Sequence, residues 1–429
     1  MKPNKKSAAV MPPLPEGFLH KMENIIGADE TVRLAETLDG SPSVSIRFNR
    51  RKVSDPHSIL KCIECNAEPV EWCKSGYYLS RRPDFVHDPL FHAGAYYVQE
   101  AASMIYEELV EELLKQQDST QGSSPYYGNC VKVLDLCAAP GGKSTAMLNG
   151  LAGHQYILVA NEFEAKRGRI LKENLDRWGD PDVIITNSTT SAFALAGVEF
   201  DIVAVDAPCS GEGMMRREPV ARTQWSESLV DRCVALQREI LADAFSLLKP
   251  GGFLIYSTCT FNTEENERNA EWLVNELGLA PVGPPRRFLP HKDRCEGLFV
   301  AVFRKGNAHD LKPDEADKEN TKANILSSLK KAGIKILSDG VEQTVTKGNV
   351  EIPSSRSVVA YDYPRNRFPE ADLTREEAIS YLRRNSLRLP EGTPLGFVCV
   401  TYNGMPLGLV KNIGTRANNL YPSEWRVLT

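Results

Sequence analysis

Apolar positions along this chain change period several times, and each change marks a new element. Around Phe18, Met22, Ile25 and Ile26 the spacing is helical, while Val44-Ser45-Ile46-Arg47-Phe48 alternates like a half-buried strand. From Arg81 to Met104 the chain is dense in aromatics (Phe85, Phe91, Tyr96, Tyr97), and Ile105, Leu109 and Leu113 then follow at i, i+4 spacing on one helix face. Gln116 to Asn129 is rich in Ser, Gly, Pro and Tyr and reads as an exposed loop.

Short apolar runs then alternate with helical stretches, the pattern of an α/β domain. The predicted strands are Val131–Leu136, Ile157–Asn161, Val183–Thr186, Ile202–Val205, Phe253–Ser257 and Leu298–Phe303. Leu229, Cys233, Leu236, Ile240, Ala244 and Leu247 predict a helix capped by Ser226 and stopped by Pro250-Gly251-Gly252. The charged stretch Lys305 to Lys322 reads as a linker. Beyond it, short strands at Gly396–Tyr402 and Gly408–Lys411, joined by Asn403-Gly404, read as a hairpin. This divides the chain into a small α+β segment (14–90), a central Rossmann-like α/β domain (91–305), a linker region (306–355) and a β-rich module (356–429).

With 429 residues, a hydrophobic fraction of 42% and a charged fraction of 25%, the chain has the make-up of an ordinary globular protein. The basic start, Met1 to Lys6, is followed by too short an apolar stretch for a signal peptide, and no run is long enough to span a bilayer. A cytoplasmic monomer that does not engage membranes is expected. The ten cysteines then read as reduced thiols, and the lone Cys62-Ile63-Glu64-Cys65 lacks the partners of a zinc site, so no metal is expected. A net charge of −5 does not advertise nucleic-acid binding, but phosphate contacts need only local basic surface. Arg47, Arg50, Arg51 and Lys52 form one such cluster, and Arg383, Arg384 and Arg388 another. Residues 356–429 carry ten Lys/Arg against seven Asp/Glu.

Three segments carry candidate chemistry, each after a predicted strand: Asp135-Leu136-Cys137-Ala138-Ala139-Pro140-Gly141-Gly142-Lys143-Ser144, Asp206-Ala207-Pro208-Cys209-Ser210-Gly211-Glu212-Gly213-Met214, and Ser257-Thr258-Cys259-Thr260. The carboxyl ends of strands in an open α/β sheet face the ligand crevice, so all three are expected at one site. Gly142-Lys143-Ser144 is not a phosphate loop, because Cys137 stands where that motif needs glycine and Pro140 removes an N–H donor. A zinc deaminase fails too, since Pro208-Cys209 is followed by Ser210-Gly211-Glu212 rather than a second cysteine.

Together the three segments resemble the signature of RNA cytosine-5 methyltransferases, the Nol/Nop/Sun family. Further upstream, Asp88-Pro89-Leu90-Phe91-His92-Ala93-Gly94-Ala95-Tyr96-Tyr97-Val98-Gln99-Glu100 looks like its RsmF-type rRNA branch, as does Gly211-Glu212-Gly213-Met214. The resemblance implies that Cys137, Ala138, Ala139, Pro140, Gly141, Gly142 and Lys143 form an S-adenosyl-L-methionine loop. It further implies that Glu162 holds the ribose hydroxyls and that Asp206 lies beside the sulfonium and the target base. Relatives commonly place an aspartate near the adenine; spacing puts Thr189 there, which supplies a hydrogen bond without the charge. The attacking thiol is implied to be Cys259 and the release-assisting one Cys209, although DNA cytosine-5 enzymes attack from a Pro-Cys position and chemistry alone does not choose. The implied substrate is RNA, small-subunit rRNA or the subunit itself, gripped by the N-terminal segment and by a PUA-like C-terminal module. Tyr96, Tyr97 and Gln99 are open to two roles, contact with an extruded base or core packing. Asn262 to Glu267 reads as the polar start of a helix, and Cys137 and Cys233, as thiols, as structural. The rival readings are a P-loop nucleotide hydrolase and a non-catalytic RNA-binding assembly factor.

Overall fold

The computed structural model describes residues 11–119, 130–306 and 318–428. Its centre is a parallel sheet in the order Leu248–Thr258, Phe200–Asp206, Val131–Asp135, Tyr156–Asn161, Val183–Asn187. Leu298–Arg304 adds antiparallel to Leu248–Thr258 at one edge, and Lys335–Ser338 antiparallel to Val183–Asn187 at the other. The strands are near-continuous apolar runs because both faces are covered. Val133, Leu158, Ile202 and Ile255 pack with Tyr106, Met147 and Leu171 on one side, while Leu134, Val159, Val203 and Leu254 pack with Phe193, Leu241 and Leu273 on the other. The helix predicted from Leu229 onward spans Glu227–Ser246, with Ser226 Oγ accepting the Leu229 N–H at 3.2 Å.

In front of this domain stands a four-stranded antiparallel sheet ordered Ala67–Val70, Cys73–Leu79, Val44–Phe48, Tyr96–Val98. The last of these strands lies beyond residue 90, so the expected boundary falls inside a sheet that runs through Val98. The first two helices, Glu16–Ile26 and Ala28–Asp39, do not cover that sheet; Phe18, Met22, Leu34 and Leu38 pack on Met215, Trp225, Phe261 and Leu289 of the central domain. The basic cluster Arg47–Lys52 is largely spent internally. Arg47 is fully buried and donates to Gln99 and Thr145, Arg50 pairs with Glu107 and Glu111, and Arg51 lies over Tyr156 and Tyr361. Lys52 donates to the Ala93 and Arg177 carbonyls and is pushed down by burial to about 7.

The linker reading is corrected in its described part. Lys318–Lys331 is a helix whose Ile325 and Leu329 enter the central core, and Lys335–Ser338 is a strand of the main sheet. Its apolar stripe outweighs the surrounding charge. Of the predicted loop, residues 116–119 continue the helix Ile105–Ser119, and 120–129 lie outside the described residues. The C-terminal sheet runs Glu370–Asp372, Gly396–Tyr402, Met405–Asn412, Ala417–Asn419, with the hairpin turn at Asn403-Gly404 and Arg375–Leu382 packed beside it. No helix among the described residues is long and apolar enough to cross a membrane.

Candidate active site

The order of the parallel strands reverses at Val131–Asp135, which has Tyr156–Asn161 on one side and Phe200–Asp206 on the other. Such a switch point opens a crevice at the carboxyl ends of the strands. The loop after Asp135 turns into the helix Gly142–Gly150 through Gly141, whose φ of 109° is closed to most side chains. The first-turn N–H groups of that helix have no carbonyl acceptor within it. Arg167 donates to the Ala139 carbonyl at 2.7 Å and Asn174 to that of Pro140 at 2.8 Å, which pins the loop from the neighbouring helix.

Lys143 leaves this helix to pair with Asp206 at 2.7 Å. Ser257 Oγ donates to the other Asp206 oxygen at 2.8 Å and accepts from Tyr106 at 2.9 Å. The strand that ends in Asp206 and the strand that leads to Cys259 are thus tied to the glycine loop. Behind them Asp135 accepts from Ser144 at 2.6 Å, and burial pushes its carboxyl up to about 7. Burial likewise raises the Cys137 thiol, with the Asp135 charge second, so this thiol is unreactive.

Cys209 and Cys259 meet across adjacent strand ends with their sulfurs 3.2 Å apart, both as free thiols. The Cys209 thiol is held well above its ordinary value, first by its contact with Cys259 and then by burial. Two carboxylates lace the loops that carry the thiols. Glu212, fully buried, accepts from Thr260 Oγ1 at 2.5 Å, from the backbone of Phe261 and Asn262 at 2.6 and 2.9 Å, and from Trp225 Nε1 at 3.0 Å. Glu265 reaches the other way and accepts from the Ser210 N–H at 3.0 Å and Gln237 Nε2 at 2.7 Å. Gly213 donates to the Cys259 carbonyl at 2.8 Å, in a space where any Cβ would press on that oxygen and on the Glu296 carbonyl.

The structure brings residues 137–143, Asp206, Cys209 and Cys259 together at these strand ends. Glu162 follows the strand Tyr156–Asn161 and is almost buried; its carboxylate accepts the Glu164 N–H at 2.8 Å and lies 3.4 Å from Arg167. Thr189 is exposed, and its hydroxyl caps the helix Thr190–Ala194 by accepting from Ala192 N at 3.2 Å. Tyr96 is buried in the N-terminal core and donates to Asp88. Tyr97 donates to the Pro140 carbonyl at 3.3 Å, and the Gln99 amide oxygen accepts from Arg47, so both brace the glycine loop from the N-terminal sheet. The helix-start reading of Asn262–Glu267 is corrected, since the helix begins at Glu267 and the residues before it form the buried network around Glu212 and Glu265. Sequence reasoning assigned no role to either carboxylate. The one signal was Glu212 inside Gly211-Glu212-Gly213-Met214, a segment too small and polar for an ordinary exposed helix.

Three family models match this chain: "16S rRNA methyltransferase RsmB/F" over residues 127–304, "N-terminal domain of 16S rRNA methyltransferase RsmF" over 14–101, and "Methyltransferase RsmF PUA domain" over 368–427. The chain is 32% identical to ribosomal RNA small subunit methyltransferase F of Enterobacter sp. (strain 638), with 89% of each covered. It is 31% identical to the protein of the same name from Klebsiella pneumoniae (strain 342), again with 89% of each covered. Among solved structures, PH0851 is 27% identical with a TM-score of 0.60, covering 68% of this chain and 66% of that one. A methyltransferase homolog protein from Pyrococcus horikoshii is 26% identical with a TM-score of 0.56, covering 68% of this chain and all of that one (100%). With the central fold, the thiol-bearing strand ends and both flanking regions in agreement, the chain belongs to the RsmB/F family of 16S rRNA methyltransferases, with flanking domains of the RsmF type.

Proposed function

We propose that this chain methylates carbon-5 of a cytosine in small-subunit rRNA, using S-adenosyl-L-methionine and a covalent adduct on Cys259. The observation that carries the reading is the pair of free thiols 3.2 Å apart beside Asp206. The residues at the switch point fit the cofactor. A helix that starts at a glycine offers N–H groups to a carboxylate, and the nearly buried Glu162 offers a carboxylate to a diol. Lys143 is committed to Asp206, which disfavours a phosphate-binding role for the loop.

The cofactor supplies the electrophilic methyl group. Cys259 adds through sulfur to carbon-6 of the cytosine, which makes carbon-5 nucleophilic. Asp206, anchored by Lys143 and Ser257, joins the cofactor half of the site to the thiol half. After transfer, the Cys209 sulfur, as thiolate, takes the carbon-5 proton, the electrons of that bond rebuild the carbon-5–carbon-6 double bond, and the carbon-6–sulfur bond breaks, returning the Cys259 thiolate. Cys209 assists this release. Its thiol is held up first by contact with Cys259, and that cause is gone while Cys259 is tied to the base. The N-terminal segment and the C-terminal module hold the RNA, and the enzyme works in the cytoplasm.

The test is a denaturing gel after incubation with labelled S-adenosyl-L-methionine and subunits from a strain that lacks the gene. Cys259→Ala is expected to give neither methylation nor adduct, and Cys209→Ala to methylate once and stall as a protein–RNA adduct. An adduct from Cys259→Ala with none from Cys209→Ala would reverse the roles. Wild-type enzyme that transfers its label to RNA bases other than cytosine would overturn the reaction itself.

A further inference from the structure

Beside the thiol loops lies a groove of about 900 Å³ between the N-terminal sheet and the central domain. Its walls carry Arg81 and Arg82 from the N-terminal side, Arg216, Arg217 and Arg294 from the central domain, and the ring of Tyr78. Among the described residues, Arg81 and Arg82 have neutral partners alone, and Arg216 has mostly neutral ones. Arg81 donates to the Glu64 carbonyl at 3.0 Å, Arg82 lies over Phe85, and Arg216 donates to the carbonyls of Gly40, Ser41 and Cys295. Two carboxylates lie among them: Glu296, shared by Arg216 and Arg217, and the exposed Glu68, paired with Arg294 at 2.5 Å. Five cations line a concave space that holds two carboxylates, with the Glu100 and Asp293 charges behind its wall at Tyr78, so the groove keeps a small positive excess that its low-dielectric walls focus.

The groove adjoins the turn that holds the Cys259 loop. Arg217 donates its N–H to the Met214 carbonyl at 2.9 Å, and so follows directly on the turn whose Gly213 holds the Cys259 carbonyl. The exposed Arg294 lies over the buried Tyr78 ring at 4.4 Å, which holds its guanidinium plane in place as a face on which a base can stack. A row of guanidinium groups, one of them braced flat by a tyrosine, suits a flexible sugar–phosphate strand with unpaired bases better than a duplex. We propose that this groove is the track for the single-stranded RNA backbone next to the target cytosine, delivering the base to Cys259 from the N-terminal side. The proposal rests on the RNA-methylating reading and adds where the strand runs.

Arg82 and Arg294 suit the test because both are exposed: Arg82 lies over Phe85, and the bond that Arg294 donates across the junction, to the exposed Glu68, is a surface ion pair that contributes little to stability. Full-length wild type, Arg82→Ala/Arg294→Ala and Arg82→Lys/Arg294→Lys are compared on a fluorescent single-stranded RNA dodecamer over a salt series. Melting temperature and S-adenosyl-L-methionine affinity are measured alongside, and methyl transfer to unmodified subunits is scored separately. The alanine pair is expected to bind the dodecamer about ten-fold more weakly at low salt. Its salt slope should fall by about 1.4, that is two phosphates at roughly 0.7 each for a single strand, while fold and cofactor affinity stay unchanged. The lysine pair should keep most of the slope. An unchanged slope in the alanine pair, with wild type binding the dodecamer and methylating subunits, would overturn the track and leave the proposed reaction standing. Wild type that neither binds RNA nor methylates subunits would overturn both. Equal dodecamer binding by wild type and the alanine pair, with polyglutamate bound by wild type alone, would make the groove a docking site for acidic protein segments and overturn the RNA assignment.

Discussion

Glu162 follows the strand next to the switch point and Thr189 the strand beyond it, and the structure commits them differently. The Glu162 carboxylate is nearly buried, with Arg167 3.4 Å away, whereas the Thr189 hydroxyl is exposed and spent on a helix cap. If Glu162 holds the cofactor diol as proposed, Glu162→Ala is expected to lose charge-assisted hydrogen bonds worth about 1.5–3 kcal/mol, or roughly ten- to a hundred-fold in affinity. Thr189→Ala costs about 1 kcal/mol of local helix stability and little affinity. Calorimetric titration of both variants with S-adenosyl-L-methionine checks the contrast, and equal losses would contradict it. At this scale the thiols and the glycine loop were legible because their spellings are unusual. Glu212 was not, because a lone glutamate in a polar segment gives no sign that five donors converge on it in the interior.

Elements were legible wherever apolar periodicity is strong. The predicted central strands fall within a few residues of those observed, because burial on both faces demands unbroken apolar runs. Periodicity failed where polar atoms do the packing. Asn262–Glu267 looks solvated in sequence, but Asn262 donates to Glu212 and to Glu265 at 3.0 and 2.7 Å, and Asn266 to the Thr260 carbonyl at 3.0 Å. The segment acts as a buried clamp on the Cys259 loop. Glu212→Ala leaves the Phe261 and Asn262 N–H groups and the Thr260 hydroxyl without their acceptor in a dry site. The expected cost is at least about 3 kcal/mol of stability, read as a lower denaturant midpoint, together with loss of methyl transfer. Retention of wild-type stability would mean that these loops are held by something other than the clamp.

The whole molecule is keyed together by side chains whose roles sequence could not show, since they act between segments far apart in the chain. In the basic cluster at residues 47–52, Arg47 is buried and Lys52 half-buried against the central domain. The C-terminal module docks through Arg356, which reaches Asp176 at 3.0 Å and lies over Trp425, and through Tyr421, 3.4 Å from the His92 ring. His92 is buried against the Val86 carbonyl, and burial, with the Arg177 cation second, lowers it to about 4. The unfolded chain therefore holds the proton between about 4 and the ordinary value of 6.5, whereas the folded chain does not. Stability from this group is complete above 6.5 and declines as pH falls, by at most about 3 kcal/mol once pH is below the folded value. Melting temperature followed from pH 7 to pH 4 in wild type and His92→Gln measures it, because glutamine keeps an amide donor for the Val86 carbonyl and carries no titrating charge. The wild-type curve should fall more steeply through this window than that of the variant. Parallel curves would show that the junction between the N-terminal segment and the C-terminal module does not sense this proton.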